Sequence, residues 1–293
     1  MFRSKMLLVL AGLLGLTGCD RLDSLQHPNA LTPDQLLQSH PHLLVPWGEG
    51  SWVLMEPSSS LLIFLLAFLI FGMGVQLLRS VEQQRSRFWW GLSLLLWGAG
   101  AFLAGVSYQA FAYELKAAGR EVMAWTTWWE VNYLLLTTAS INAMMMGVAY
   151  STCGEVGQRR LAIYAALNTL IYFVLCLTGA FLPERFLVSF ELMVLMTTPG
   201  YLVFFLLNLR AYRQQHELLQ WRLMQAWVYL GLVTAFYFAY QAAGFTEALW
   251  ALGWWFSAND ALHAGLLVWM LWLQWRVLPL LKDRHTSASP VLG

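Results

Sequence analysis

The sequence predicts an all-helical membrane protein with seven transmembrane helices, and three observations lead to this fold class. The 293 residues are 59% hydrophobic and only 11% charged, whereas soluble domains carry about 25% charged residues. Seven apolar segments are each long enough to cross the roughly 30 Å hydrocarbon layer at about 1.5 Å per residue. The charges that flank them agree with a single topology. Because lipid offers no partners to backbone amides, and the segments lack the alternation of a barrel, these segments predict helices.

The seven segments, numbered here as spans one to seven, leave no room for a second domain of ordinary size. They cover 61–78, 88–111, 123–150, 161–182, 186–208, 224–244 and 249–275. The predicted organisation is a signal peptide at 1–18, a periplasmic tether at 19–58, a transmembrane domain at 59–277 and a cytoplasmic tail at 278–293. A net charge of +1, without a dense cluster of basic residues, predicts membrane lipids and not nucleic acid as partners.

Residues 1–18 have the pattern of a secretory signal. Two basic residues, Arg3 and Lys5, precede a short apolar stretch, and small residues follow it. The tetrapeptide Leu-Thr-Gly-Cys at 16–19 resembles the lipobox of bacterial lipoproteins. This resemblance implies a diacylglycerol thioether on Cys19, cleavage before it and N-acylation by a fatty acid such as palmitate, in the bacterial inner membrane. The alternative is an uncleaved first helix in which Cys19 is incidental.

The basic residues predict the orientation of the spans. Of the 17 Lys and Arg residues, eleven lie beside the ends that are cytoplasmic if Cys19 is outside. Four lie on the opposite side, and the remaining two belong to the signal. Because cytoplasmic loops of membrane proteins are enriched in Lys and Arg, this asymmetry predicts an external N-terminus and a cytoplasmic C-terminus.

The tether contains one predicted helix. The Thr32 side chain can accept a hydrogen bond from the backbone N–H three residues later, and Gln35 at that position completes a capping box. Pro33 is favoured in the first turn of a helix. We therefore expect a short amphipathic helix near 31–37 within an otherwise extended segment.

Polar residues inside the spans are the candidates for function, because ionisable groups at membrane depth are costly. They concentrate in the outer halves of the spans. The main candidates are Ser107, Tyr108 and Gln109 in span two, Glu130 in span three, and Asn259, Asp260 and His263 in span seven. We expect Tyr108, Gln109, Glu130, Asp260 and His263 to meet in one cavity between spans two, three and seven.

Span seven allows two interpretations. Asp260 and His263 are three residues apart and share a helical face, so the carboxylate could fix the histidine tautomer for proton transfer or metal binding. Alternatively, these residues and Glu130 form an interhelical clamp whose hydrogen bonds only hold the bundle together.

The same residues resemble the CREST superfamily, which includes the alkaline ceramidases and the progestin and adipoQ receptors. The matching positions are Gly105, Ser107, Tyr108, Glu130, Asn259, Asp260 and His263. The resemblance implies seven spans with an external N-terminus and, in the enzymes, a zinc ion held by three histidines. Here Gln109 and Leu267 occupy the positions of two of those histidines. Catalytic zinc needs about three protein ligands and a water. Only Glu130, Asp260 and His263 could serve as those ligands here.

Two functions follow as hypotheses. In the first, the protein binds a lipid or small amphiphile in a polar pocket of the outer leaflet, or it acts as an accessory membrane protein. In the second, the protein hydrolyses a lipid amide or ester, with Asp260 and His263 as acid and base and Ser107 as nucleophile or oxyanion donor. The missing histidines favour binding, and the acid–histidine pair keeps an enzyme possible.

Overall fold

The computed structural model describes residues 21–284 except Glu49, and this part confirms the predicted fold class. It contains seven helices long and apolar enough to cross a membrane. They are α2 (Pro57–Arg79), α3 (Arg85–Ala104, continued by a π-helix at Gly105–Ala110), α5 (Trp128–Thr152), α6 (Glu155–Phe181), α7 (Phe190–Gln215), α8 (Leu218–Ala242) and α10 (Ala258–Arg276). The shorter elements are α1 (Pro33–Ser39), strands β1 (His42–Trp47) and β2 (Gly50–Met55), α4 (Ala112–Lys116) and α9 (Phe245–Ala251). The signal peptide and Cys19 lie outside the described residues.

The third and seventh spans begin later than the sequence predicts. Thr127 accepts from the backbone N–H of Glu130 and so starts α5, five residues after the predicted start at 123. Ser257 and Asp260 form a capping box that starts α10, whereas the apolar pattern placed the start at 249. The residues between are α9 and a loop, in which Gly253 takes the left-handed conformation with φ of 80°. Side-chain caps, which satisfy the free N–H groups of a first turn, therefore set both boundaries.

Six of the spans form a closed ring. Going round it, α2 packs on α3, α3 on α5, α5 on α7, α7 on α8, α8 on α10, and α10 returns to α2. Helix α6 lies outside this ring, against α5. Spans three and seven, α5 and α10, are consequently not neighbours, because α2 and α3 lie between them on one side.

Helices α2 and α3 approach closely because glycines lie at their contact. A Cβ atom at Gly98 would stand 2.8 Å from the backbone nitrogen of Phe71, and one at Gly74 would stand 2.8 Å from that of Leu95. Small residues let transmembrane helices pack backbone to backbone. This contact fixes the depth of span one against span two.

The inner half of the ring is closed by an aromatic floor, which consists of Trp90, Phe204 and Trp227. The rings of Trp90 and Trp227 stack at 6.1 Å, and Phe204 lies 5.1 Å from Trp227. The indole N–H of Trp227 donates to Asn208 Oδ1 at 2.8 Å, and Asn208 donates to Gln220 Oε1 at 2.8 Å. Because these polar groups satisfy one another, we interpret them as an interhelical clamp.

The segment before the first span is folded, and not the extended tether that the sequence suggested. The predicted helix is present: Gln35 N–H donates to Thr32 Oγ1 at 3.3 Å, and Thr32 N–H donates to Gln35 Oε1 at 3.0 Å. Strands β1 and β2 then pair as an antiparallel hairpin. We call α1, β1 and β2, residues 33–55, the cap, and we call the end of the bundle that carries it the outer end, following the predicted topology.

The orientation is tested by reporter fusions. If the basic ends are cytoplasmic, fusions after Arg87, Arg160 and Arg213 should report the cytoplasm, and fusions near Lys116 and Arg185 the periplasm. Paired phosphatase and fluorescent-protein reporters measure this at each position. A single loop on the opposite side would contradict the seven-span topology.

Candidate functional site

The polar motif of span two lies in a π-helix. Between Gly105 and Ala110 the backbone widens, and Phe111 N–H donates to the Val106 carbonyl five residues earlier at 2.9 Å. Gly105 is required here, since a Cβ atom would stand 2.8 Å from Ile63 on α2. Single π-turns inside α-helices are rare and often mark functional sites. This turn brings Ser107 and Gln109 into buried positions.

Ser107 belongs to a buried group that we call the lysine–glutamate centre: Ser107, Lys116, Thr127 and Glu130. Lys116 Nζ donates to Glu130 Oε1 at 2.8 Å, and Ser107 Oγ donates to the same oxygen at 2.9 Å. The hydroxyls of Ser107 and Thr127 are 2.8 Å apart. The side chains of Lys116 and Glu130 are only 6% and 1% exposed. Sequence reasoning counted Lys116 as a charge of an outer loop and missed this pair.

Asp260 belongs to a second group, the serine–aspartate centre: Ser58, Ser59, Ser257 and Asp260. Asp260 Oδ2 accepts from the Ser257 N–H of its capping box and from Ser58 Oγ at 3.3 Å. The hydroxyls of Ser59 and Ser257 are 3.1 Å apart. These bonds join the first turn of α2 to the first turn of α10.

The predicted single cavity is therefore two hydrogen-bonded centres. Glu130 and Asp260 are each the third residue of an inward-running helix, so their depths are similar, as expected. Laterally they differ, because α10 packs on α2 and α8 while α5 packs on α3, α6 and α7. The sequence thus indicated that the two depths are similar, but it predicted both residues two to four turns inside their spans, whereas both lie in a first turn.

The expected hydrogen bond between Asp260 and His263 is absent. The capping box turns the Asp260 carboxylate back toward the start of α10, away from a residue one turn further in. Within residues 21–284, Asp260 Oδ1 and His263 Nδ1 are both buried atoms with no hydrogen-bond partner. Gln109 Oε1 is a third such atom. Buried polar groups without partners are uncommon in native proteins, so these three atoms mark places where water or a ligand would bind favourably.

Helical phase shows where span seven points. The exposed residues Val268, Leu271 and Trp275 mark its lipid face. At 100° per residue, Asn259 and His263 lie on the opposite half of the helix, which faces the interior of the ring.

Two opposite helices of the ring carry exposed polar side chains in their outer halves. On α8, Thr234 and Gln241 lie about three and five turns beyond the fully buried Leu223 on the same face, yet both are exposed. Across the ring, Tyr108 is 37% exposed, although it interacts electrostatically with Glu130 and Glu191 on two other helices. We infer that the ring encloses a space between these residues, and we call it the outer chamber. It lies above the aromatic floor.

Glu56, which sequence reasoning missed, lies between the two centres. The pKa of its carboxyl is raised to about 7, mainly by burial and in smaller part by the charge of Asp260, against the opposing effects of a hydrogen bond from Ser59 and the charge of Lys116. Its backbone is in the left-handed region with φ of 40°, a conformation that costs energy for a residue other than glycine. A lone acid directly before the first span was the signal that could have identified it.

The residues do not fit a zinc ion. Among the described residues, no group of three or more His, Cys, Asp or Glu side chains could hold a metal. Glu130 is engaged by Lys116, and Asp260 by its capping box. The three ligands that the sequence left for zinc are thus not brought together.

Comparison of this chain with protein-family models, with curated proteins and with solved structures found no match. The chemistry of the site therefore rests on its own geometry. That geometry offers exposed polar side chains in the outer halves of two spans, three buried polar atoms without partners, and one buried ion pair.

Proposed function

We propose that this multi-pass membrane protein binds the polar head of an uncharged amphiphile in its outer chamber. One observation carries the proposal: polar side chains on opposite sides of the ring, Tyr108 and Gln241, are exposed although both belong to membrane spans. Intramembrane polar groups normally find partners or line a cavity. The inner half is closed by packed aromatic rings, so a ligand would enter from the outer leaflet.

The charge of the site supports an uncharged ligand. Lys116 is paired with Glu130 and is nearly fully buried, so it offers no free positive charge to a phosphate group. The polar atoms without partners include two acceptors, Gln109 Oε1 and Asp260 Oδ1, which would be satisfied by hydroxyl or amide donors. A carboxylate at Asp260 also disfavours an anionic head group. A few polar contacts of this kind are typical of pockets that hold an apolar body by one polar end.

Binding is tested with delipidated protein and two short-chain probes, dioctanoylglycerol and dioctanoyl phosphatidylglycerol. Native mass spectrometry should show the neutral probe bound to the wild type in preference to the anionic one. Thr234→Trp, which fills the chamber, should remove this binding. Phe236→Trp, two residues away on the lipid face of the same helix, should leave it unchanged. Equal binding of both probes, or full binding by Thr234→Trp, would count against the proposal.

A lipid hydrolase is the second candidate, and the observation that favours it is the hydrogen bond from Ser107 Oγ to Glu130 Oε1. A carboxylate could accept the proton of a serine nucleophile. However, Lys116 Nζ already donates to the same oxygen, and Asp260 and His263 lie outside this centre. Release of fatty acid from an ester or amide lipid by the wild type, and its loss in Ser107→Ala, would establish this candidate instead.

We also propose that the chain is a lipoprotein anchored through Cys19 at the outer face of the bacterial inner membrane. The positions of the residues that follow Cys19 in the chain support this proposal. Leu22 and Leu25 are buried against α5 and α6, and Arg21 donates to the Phe181 carbonyl at 3.1 Å. An acyl chain on Cys19 would therefore start near the outer ends of these spans.

Lipidation predicts a definite change in mass. Processing should remove residues 1–18 and add a diacylglyceryl and an acyl group to Cys19. Intact-mass spectrometry of the wild type and of Cys19→Ala measures both changes. A wild-type chain that retains Met1 and carries no lipid would refute this proposal.

A further inference from the structure

The cap is seated across the outer face of the bundle. Its apolar residues Leu36, Val53 and Met55 pack against the segment that joins spans two and three, and Trp52 stacks on Phe111 at 4.9 Å. On the other side, the ring of His40 lies 5.5 Å from that of Trp250 in α9. The cap thus reaches from the loop after span two to the loop before span seven.

Glu56 is the residue where the cap joins the bundle. Its N–H donates to the Pro41 carbonyl at 2.8 Å, which closes the base of the hairpin, and its carbonyl accepts from Ser60 in the first turn of α2 at 2.8 Å. The side chain is 14% exposed. A change in the charge or conformation of Glu56 therefore affects both the cap and span one.

Charged and titratable groups face the Glu56 carboxyl from three elements. Asp260 comes from α10, and Lys116 comes from α4 and is already neutralised by Glu130. His40 comes from the cap, with its Nε2 at 4.0 Å from Glu56 Oε1. Burial lowers the pKa of His40 and raises that of Glu56 to about 7. Because of these opposite shifts, ionisation of Glu56 at rising pH gains little charge compensation from His40.

Loss of the Glu56 proton would therefore bring an uncompensated charge. The nearest like charge is Asp260, whose Oδ1 atom is buried and has no donor within the described part of the chain. Two carboxylates that share a site resist joint ionisation, and a charge at a buried junction favours any rearrangement that exposes it to water.

We propose that Glu56 is a proton-operated latch: with its carboxyl protonated the cap stays seated on the outer face, and its ionisation beside Asp260 releases the cap. The movement uses the hinge at Glu56 and breaks the contacts of Trp52 and His40 with the bundle. It requires no ligand, so it goes beyond amphiphile binding and can be tested without it.

The test is hydrogen exchange of the full chain in nanodiscs between pH 5 and 9, with labelling times scaled to hold intrinsic amide exchange constant. Peptides covering 42–55 should lose at least tenfold in protection, with a midpoint near pH 7. Peptides from α5 serve as the internal reference and should not change. In Glu56→Gln, which mimics the protonated acid, the cap should stay protected at every pH.

Two further variants keep the test decisive if Glu56→Gln folds poorly. Asp260→Asn removes the like charge that helps to raise the pKa of Glu56, so the midpoint should move to lower pH and the loss of protection should become smaller. His40→Gln should leave the midpoint in place. A pH-independent cap in the wild type, or a transition that persists in Glu56→Gln and disappears in His40→Gln, would overturn the latch.

Discussion

Replacing Lys116 by methionine should destabilise the protein by about 3–5 kcal/mol, the usual cost of leaving one member of a buried ion pair without its partner. Glu130 is 1% exposed, and the Ser107 hydroxyl that donates to the same oxygen cannot replace a cation. Glu130→Gln should destabilise the protein by a similar amount, because it leaves the buried ammonium group of Lys116 without its carboxylate partner. Thermal or denaturant unfolding in detergent measures both losses.

The double variant Lys116→Met with Glu130→Leu gives the sharper result. Removing both charges avoids the desolvation cost of either one, so this variant should recover much of the stability lost by each single change. Arg120→Met is the matched control, since the pair of Arg120 with Asp23 also lies at the outer end but is 31% and 49% exposed. It should change stability by about 0–1 kcal/mol. If Lys116→Met costs no more than this control, the centre does not hold the bundle together.

Glu56→Gln should stabilise the protein at pH 8 by about 3 kcal/mol and have little effect below pH 4.5. The folded state raises the pKa of this carboxyl from 4.5 to about 7, and each pKa unit corresponds to about 1.4 kcal/mol. The folded form keeps the proton that the unfolded chain loses, so the wild type is most stable below pH 4.5 and loses that stability as pH rises to 7. Glutamine removes this loss.

Melting temperatures of the two proteins, compared at pH 4, 6 and 8, measure the difference. It should grow with pH across this range and level off above 7. Glu121→Gln, an exposed acid of the same outer end, is the control and should shift the melting temperature little. A gain of the same size at pH 4 and pH 8 would mean that glutamine acts through packing and not through the Glu56 proton.

Much of the fold could be predicted from the sequence, because span length and apolar composition are local properties. Boundaries were less certain where an apolar segment precedes the helix that crosses the membrane. The predicted start at 249 falls within Phe245–Ala251, and only the Ser257 and Asp260 capping box shows where α10 starts. The hairpin of the cap was missed because the two strands are short and their polar surroundings resemble a linker.

The site was predictable in relative depth and not in arrangement. Counting residues along each helix indicated similar depths for Glu130 and Asp260, but it placed both too far from the outer ends, because spans three and seven start later than predicted. The order of helices round the ring is a long-range property. Lys116 looked like an ordinary loop charge, since its burial depends on α4 folding back against Glu130. The π-helix at Gly105–Ala110 depends on the contact between Gly105 and Ile63, which no local pattern reveals.

The central claim is that the outer half of the bundle encloses an accessible polar chamber above a closed floor. Cysteine accessibility to a membrane-impermeant maleimide tests it most directly, in a background that carries Cys153→Ser and Cys176→Ser, using right-side-out vesicles. Thr234→Cys and Gln241→Cys should be labelled, because both face the chamber. Leu223→Cys below the floor and Phe236→Cys on the lipid face should remain unlabelled. If Thr234→Cys and Gln241→Cys react no faster than Phe236→Cys, the outer half of the bundle is closed and the chamber does not exist.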